Sequence, residues 1–123
     1  MYLGSCLCGA VRYEIRGDIE RTSICWCTMC QKQHGAANGP YANVASAALH
    51  FVQGADAIAR YVSSPGVERS FCKVCGSNLT WQLCDASPEG GARIGVTLGT
   101  FDTPYEGKVT HELHRDSKPG WLP

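Results

Sequence analysis

The sequence predicts a mainly β domain organised around zinc, carrying one or at most two short helices. Three observations lead there. Short runs of alternating residues recur along the chain between Gly, Pro, Asn and Asp turn signals. Seven of the eight cysteines fall into three tight clusters. The length of 123 residues, with 44% hydrophobic and 18% charged residues, suits a single globular domain over residues 1–123, short enough that a metal staple would help it appreciably.

Taken in order, Cys6-Leu7-Cys8-Gly9 precedes a run from Ala10 to Arg16 in which Val11, Tyr13 and Ile15 share one face and Arg12, Glu14 and Arg16 the other. That period of two reads as a half-buried strand, turned off at Gly17-Asp18. Arg21 to Ile24 reads as a short strand leading into Cys25-Trp26-Cys27-Thr28-Met29-Cys30. Thr28 can cap a single helical turn from Met29 to His34, stopped by Gly35. Backbone amides at such a helix start favour thiolate over thiol.

Asn38-Gly39-Pro40 reads as a break, followed by an extended Tyr41 to Val44, and Ala45 to Phe51 fits helix and strand equally. Ala59 to Ser63 and Val67 to Phe71 read as a hairpin joined by Ser64-Pro65-Gly66, delivering the chain into Cys72-Lys73-Val74-Cys75-Gly76. Leu79 to Cys84 alternates weakly, Asp85 to Ala92 reads as a Pro/Gly-rich surface loop, and Arg93 to Thr100 as a strand. The tail from Tyr105 has little periodicity, and no internal repeat is evident.

Eleven Lys plus Arg balance eleven Asp plus Glu, so no basic excess is available for nucleic acid or an anionic membrane. No apolar run approaches the roughly 20 residues that span a bilayer, and Met1-Tyr2-Leu3-Gly4 has no signal-like pattern. A soluble, cytoplasmic protein is expected, in which thiols stay reduced and clustered cysteines bind metal rather than form disulfides.

Cys72-x-x-Cys75-Gly76 is a knuckle: two sulfurs hold one zinc while the glycine lets backbone amides approach them. Its partner is the remaining two-cysteine cluster, Cys6 and Cys8, which gives a closed four-thiolate structural site tying the N-terminal strand to the middle of the chain. The competing reading makes Cys6 and Cys8 buried apolar residues or a redox pair. Cys25, Cys27 and Cys30 admit three readings: a catalytic zinc with an open fourth position, a second structural zinc completed by Cys84 or a histidine, or a reactive thiol cluster. Cys84 otherwise reads as an inert thiol.

Three thiolates leave a zinc ion with a net charge of minus one, a poor generator of hydroxide but a suitable partner for thiols. A substrate thiol in the fourth position would ionise and attack a small electrophilic carbonyl, which is carbon–sulfur bond chemistry. His34 and Lys32, just beyond Cys30, are candidates to move a proton or hold a substrate carboxylate, against the plainer reading of solvated side chains.

The order Gly4-Ser5-Cys6-Leu7-Cys8-Gly9-Ala10-Val11-Arg12-Tyr13, then Cys25-x-Cys27-x-x-Cys30-Gln31-Lys32-x-x-Gly35, then Phe71-Cys72-x-x-Cys75-Gly76-Ser77-x-Leu79, resembles the glutathione-dependent formaldehyde-activating enzyme family, which also contains centromere protein V. Gly99-Thr100-Phe101-Asp102 and the tail His111…Lys118-Pro119-Gly120-Trp121 extend the resemblance over nearly the whole chain. It implies a β-tent fold of several small antiparallel sheets, a structural zinc at Cys6, Cys8, Cys72 and Cys75, and a labile catalytic zinc at Cys25, Cys27 and Cys30. The implied activity is that of a carbon–sulfur lyase combining glutathione and formaldehyde into S-hydroxymethylglutathione, with a small thiol as partner. One departure stands out. Trp26 occupies a position where the family commonly has His, so it either walls an apolar acceptor pocket or packs as core. Two non-catalytic alternatives accompany the enzyme reading: a zinc-stabilised binding module, and a redox sensor built on Cys25, Cys27 and Cys30.

Overall fold

A computed structural model describes residues 1–84 and 92–123. The surface loop expected at 85–92 lies, apart from Ala92, outside the described residues. Ten strands and one α-helix are present among the described residues, as the mainly β reading requires.

A three-stranded antiparallel sheet runs in the order β1 (Tyr2–Ser5), β2 (Arg12–Ile15), β5 (Leu49–Gln53). A seven-stranded sheet runs β10 (His111–Leu113), β3 (Arg21–Cys25), β4 (Gly39–Ala45), β9 (Arg93–Thr97), β8 (Asn78–Leu83), β7 (Val67–Cys72), β6 (Ile58–Ser64). Its pairings are antiparallel except for β10, which lies parallel to β3.

The alternation in β2 has the expected outcome: Tyr13 and Ile15 are buried, with Val44, Ile94 and Val96 from the larger sheet packed against them. Tyr13 also dictates β1. It stands opposite Gly4 in the antiparallel register, and a Cβ at Gly4 would sit inside the Tyr13 ring. The Tyr13 hydroxyl reaches Thr100 Oγ1 at 2.8 Å and thereby fastens the small sheet to the end of β9. A second cluster, Cys6, Val11, Cys72 and Leu79, is buried beneath the two-knuckle region.

Several local expectations are corrected. Gly39 and Pro40 belong to β4 rather than a break: pairing with β9 begins only at Tyr41, so the N–H that Pro40 lacks removes no bond to that neighbour. The ambiguous segment from Ala45 to Phe51 splits into a 3-10 turn at Ser46–Ala48 and the start of β5. The strand expected to reach Thr100 stops at Thr97, where Thr100 Oγ1 donates to the Thr97 carbonyl at 2.8 Å and closes a 3-10 turn over Leu98–Thr100. The helix α1 spans Thr28–His34 and its N-cap is Cys27, not Thr28: the Cys27 sulfur accepts from the Cys30 amide. Gly35 closes the helix in the left-handed region, with φ 58° and its N–H on the Gln31 carbonyl. No described helix is long and apolar enough to cross a membrane.

Candidate metal centres and the cavity beside them

Both cysteine groupings assemble. Cys6, Cys8, Cys72 and Cys75 bring their four sulfurs within 4.8 Å of one another, and Cys25, Cys27 and Cys30 do the same with three. All eight cysteines are free of disulfides, and Cys84 is exposed and joins neither group.

The four-sulfur group is built by two reverse turns. After β1 the Gly9 amide donates to the Cys6 carbonyl at 3.1 Å, and after β7 the Gly76 amide donates to the Cys72 carbonyl at 2.7 Å. Gly9 and Gly76 have φ of 79° and 82°, conformations a side chain would resist. Ser77 stitches the turns together: its hydroxyl accepts from the Leu7 amide at 2.8 Å and sits 3.3 Å from the Cys75 sulfur. Hydrogen bonds from the Ser77 hydroxyl and amide hold the Cys75 thiol down to about 5. The Cys6–Cys8 and Cys8–Cys72 sulfur distances of 3.6 and 3.9 Å bracket the edge of about 3.8 Å that a tetrahedron of 2.3 Å zinc–sulfur bonds requires. The donor set and its spacing thus suit zinc.

In the three-sulfur group, Cys25 ends β3, Cys27 caps α1 and Cys30 lies one turn into the helix. The Cys25 and Cys27 sulfurs are 3.3 Å apart, and the Cys30 amide donates to the Cys27 sulfur at 3.4 Å. Burial, reinforced by the neighbouring thiols, lifts the Cys25 thiol to about 12. Burial also acts on Cys27, but the Cys30 amide and the Cys25 thiol outweigh it and hold Cys27 below its ordinary value. No fourth Cys, His, Asp or Glu joins this group among the described residues, so neither Cys84 nor a histidine completes it.

The three sulfurs open onto a cavity of about 280 Å³, whose lining also includes Tyr41, Arg69 and Trp81. Arg69 is 4% exposed. Its Nε donates to Ser63 Oγ at 3.0 Å, both η nitrogens lie 3.7 Å from the Cys30 sulfur, and Nη1 reaches the Tyr41 hydroxyl at 3.4 Å. None of the ion pairs among the described residues involves Arg69, so the cysteine sulfurs are its natural counter-charge. Arg21 and His114 add further basic groups to the lining, which contains no carboxylate among the described residues.

His34 is half-buried, 2.7 Å from the Tyr41 hydroxyl through Nε2, and burial together with the Arg69 charge pushes its pKa down. It is therefore not a solvated side chain. Lys32 is exposed and borders a shallower groove beside the cavity. Trp26 faces away from the cavity: it is 7% exposed, donates Nε1–H to Glu112 at 3.1 Å and lies beneath Lys118, whose ammonium is 5.0 Å from the ring centre. Of the two readings of Trp26, packing is the one the structure shows.

Arg69 and Tyr41 are the site residues that reading the sequence missed. A signal existed for Arg69: it shares strand parity with Val67 and Phe71, which places one cation on an otherwise apolar face.

A small mainly β domain with one four-thiol and one three-thiol cluster, the latter opening on a cavity with basic side chains, belongs to the class of small domains whose clustered sulfurs could hold metal ions. The family profile described as Glutathione-dependent formaldehyde-activating enzyme matches residues 1–117, and the chain belongs to that family. Its fold is similar to the crystal structure of a Rhodobacter sphaeroides protein determined as a structural genomics target, with a TM-score of 0.69 and 22% identity over 89% of this chain and 98% of the other.

Proposed function

We propose that this chain is a zinc-dependent enzyme of the carbon–sulfur lyase type, forming or cleaving the adduct of a small thiol and a small carbonyl compound. Family membership supports a glutathione- and formaldehyde-related activity. In this reading Cys6, Cys8, Cys72 and Cys75 hold a structural zinc, and Cys25, Cys27 and Cys30 hold a second, exchangeable one. When bound there, the ion lowers the pKa of an entering thiol so that it reacts as thiolate at neutral pH.

The observation that carries the reading is the pairing of Arg69 with Cys30. A guanidinium buried to this degree is costly unless an anion meets it. Three neutral thiols would leave it uncompensated, whereas three thiolates around a dication carry a net charge of minus one and match it. The chain's own residues then divide the work. The cysteines hold the centre, Arg69 neutralises it, and the basic lining of Arg21 and His114 favours a thiol that carries carboxylates.

Zinc analysis tests this directly. The purified protein should contain two ions per chain and Cys27→Ser one, with the folded state retained because the four-sulfur site is intact. Unfolding of Cys27→Ser would make the second centre structural and refute the catalytic reading.

A further inference from the structure

The cysteines leave one chemical need unmet. When a thiolate adds to a carbonyl carbon, an electron pair moves onto the oxygen, and a centre already carrying net negative charge is unsuited to stabilise it. The donors have to come from the rest of the cavity wall.

Tyr41 lines that wall and is 6% exposed. Its ring is fixed by its surroundings: His34 packs against it edge-on, and Gly95 beside it leaves room that a Cβ would take, approaching the ring at 3.2 Å. Its hydroxyl is held from two sides, by His34 Nε2 at 2.7 Å and Arg69 Nη1 at 3.4 Å. Arg69 in turn spans from that hydroxyl to the Cys30 sulfur, so the phenol and the sulfur cluster face the same space.

We propose that the Tyr41 hydroxyl is the hydrogen-bond donor to the carbonyl oxygen of the electrophile, with His34 and Arg69 as the residues that position it. The His34 tautomer required is the one protonated at Nε2: with Nε2–H and Arg69 Nη1–H both donating to the phenol oxygen, the phenol's own proton is free to point into the cavity. The assignment rests on the thiol–carbonyl reading above. In the step, the sulfur–carbon bond forms as the carbonyl π bond breaks; the thiol's proton goes to water and water returns one to the alkoxide. Nothing is oxidised or reduced. Tyr41, positioned by His34 and Arg69, therefore acts where charge develops, while the cysteines act on the nucleophile.

The experiment compares wild type, Tyr41→Phe and His34→Leu, each with zinc and with cobalt(II), using glutathione and formaldehyde as probes. Tyr41→Phe should keep two metal ions per chain and the glutathione Kd read from the cobalt–thiolate absorption band, with a modest fall in melting temperature because Arg69 and His34 lose a buried partner. Its turnover, measured by exchange NMR above the spontaneous rate, should fall about 100- to 1,000-fold, the loss typical of one oxyanion donor. Turnover that is undiminished, or that falls only in step with glutathione affinity, overturns the assignment. If Tyr41→Phe loses a metal, His34→Leu decides, because unlike His34→Gln it keeps no donor for the phenol: a lower kcat at unchanged glutathione Kd supports the assignment, and an unchanged kcat overturns it. If wild type itself shows neither a glutathione-dependent band nor turnover, the thiol reading falls and the role of Tyr41 falls with it.

Discussion

Replacing Arg69 by methionine removes a buried charge while keeping an unbranched side chain of similar reach. Each η nitrogen lies 3.7 Å from the Cys30 sulfur. Unit charges at that distance attract by about 4 kcal/mol at an effective dielectric near 20. Removing one partner of a buried pair costs about 3–5 kcal/mol, and at 4% exposure Arg69 needs no discount for solvent screening. The zinc-loaded protein should therefore lose about 4 kcal/mol, a fall in Tm of roughly 12–20 °C for a chain of this size. The diagnostic comparison is the same substitution in a Cys27→Ser background, where the three-thiolate set is broken and Arg69 has lost its partner charge. There the cost should drop below about 1 kcal/mol, so a double-mutant cycle should return a coupling of about 3 kcal/mol. Urea denaturation of the four proteins at fixed free zinc measures it. Equal costs in both backgrounds would show that Arg69 stabilises by packing alone and would sink the charge-balance argument.

Trp26→His, which installs the residue the family commonly carries, should cost about 2–4 kcal/mol in lost burial but leave zinc content and adduct turnover within a few-fold, because the indole packs on Glu112 and Lys118 outside the cavity. Thermal melts and exchange NMR check this, and a large activity change at unchanged stability would contradict the packing. Burial holds the Cys25 thiol at about 12 and pushes Cys30 up, so both carry protons at neutral pH before metal arrives, while Cys27 lies lower. Zinc capture should therefore release at least the Cys25 and Cys30 protons, and the apparent affinity of the second site should rise at least about 100-fold per pH unit through the neutral range. A pH-independent affinity would be incompatible with this assignment of protons.

The cysteine spacing and the alternation of β2 were legible because each depends on few, local residues. Cys72-x-x-Cys75-Gly76 forms its turn from its own backbone, and Val11, Tyr13 and Ile15 announce a buried face wherever the strand is placed. What stayed hidden depends on distant partners. β10 has three exposed residues and no pattern of its own, and it exists only because β3 offers an edge to pair with. Pro40 reads as a breaker until the register shows that pairing with β9 begins one residue later, at Tyr41. Arg69 was hidden because a lone arginine in a strand is ordinarily a surface residue, and only the sulfur cluster arriving from β3 and α1 makes its burial sensible. Cys27 as a helix cap escaped because Thr28 beside it is the better intrinsic cap, whereas here it is the Cys27 sulfur that accepts from the Cys30 amide.

The parallel pairing of β10 bears on how the protein matures in the cell. Leu113 takes the Trp26 amide on its carbonyl, Glu112 takes the indole, and the Gln31 side chain reaches the Ser117 carbonyl, so residues 111–118 brace the loop that carries Cys25, Cys27 and Cys30. During synthesis the four-sulfur site has all its ligands once Cys75 has emerged, yet the brace for the earlier loop leaves the ribosome only later. On the two-zinc proposal, the first ion could thus be captured by a nascent chain, whereas the second would wait for residues 111–118. Loading of the three-sulfur site would in that case be deferred until the segment that braces it is in place.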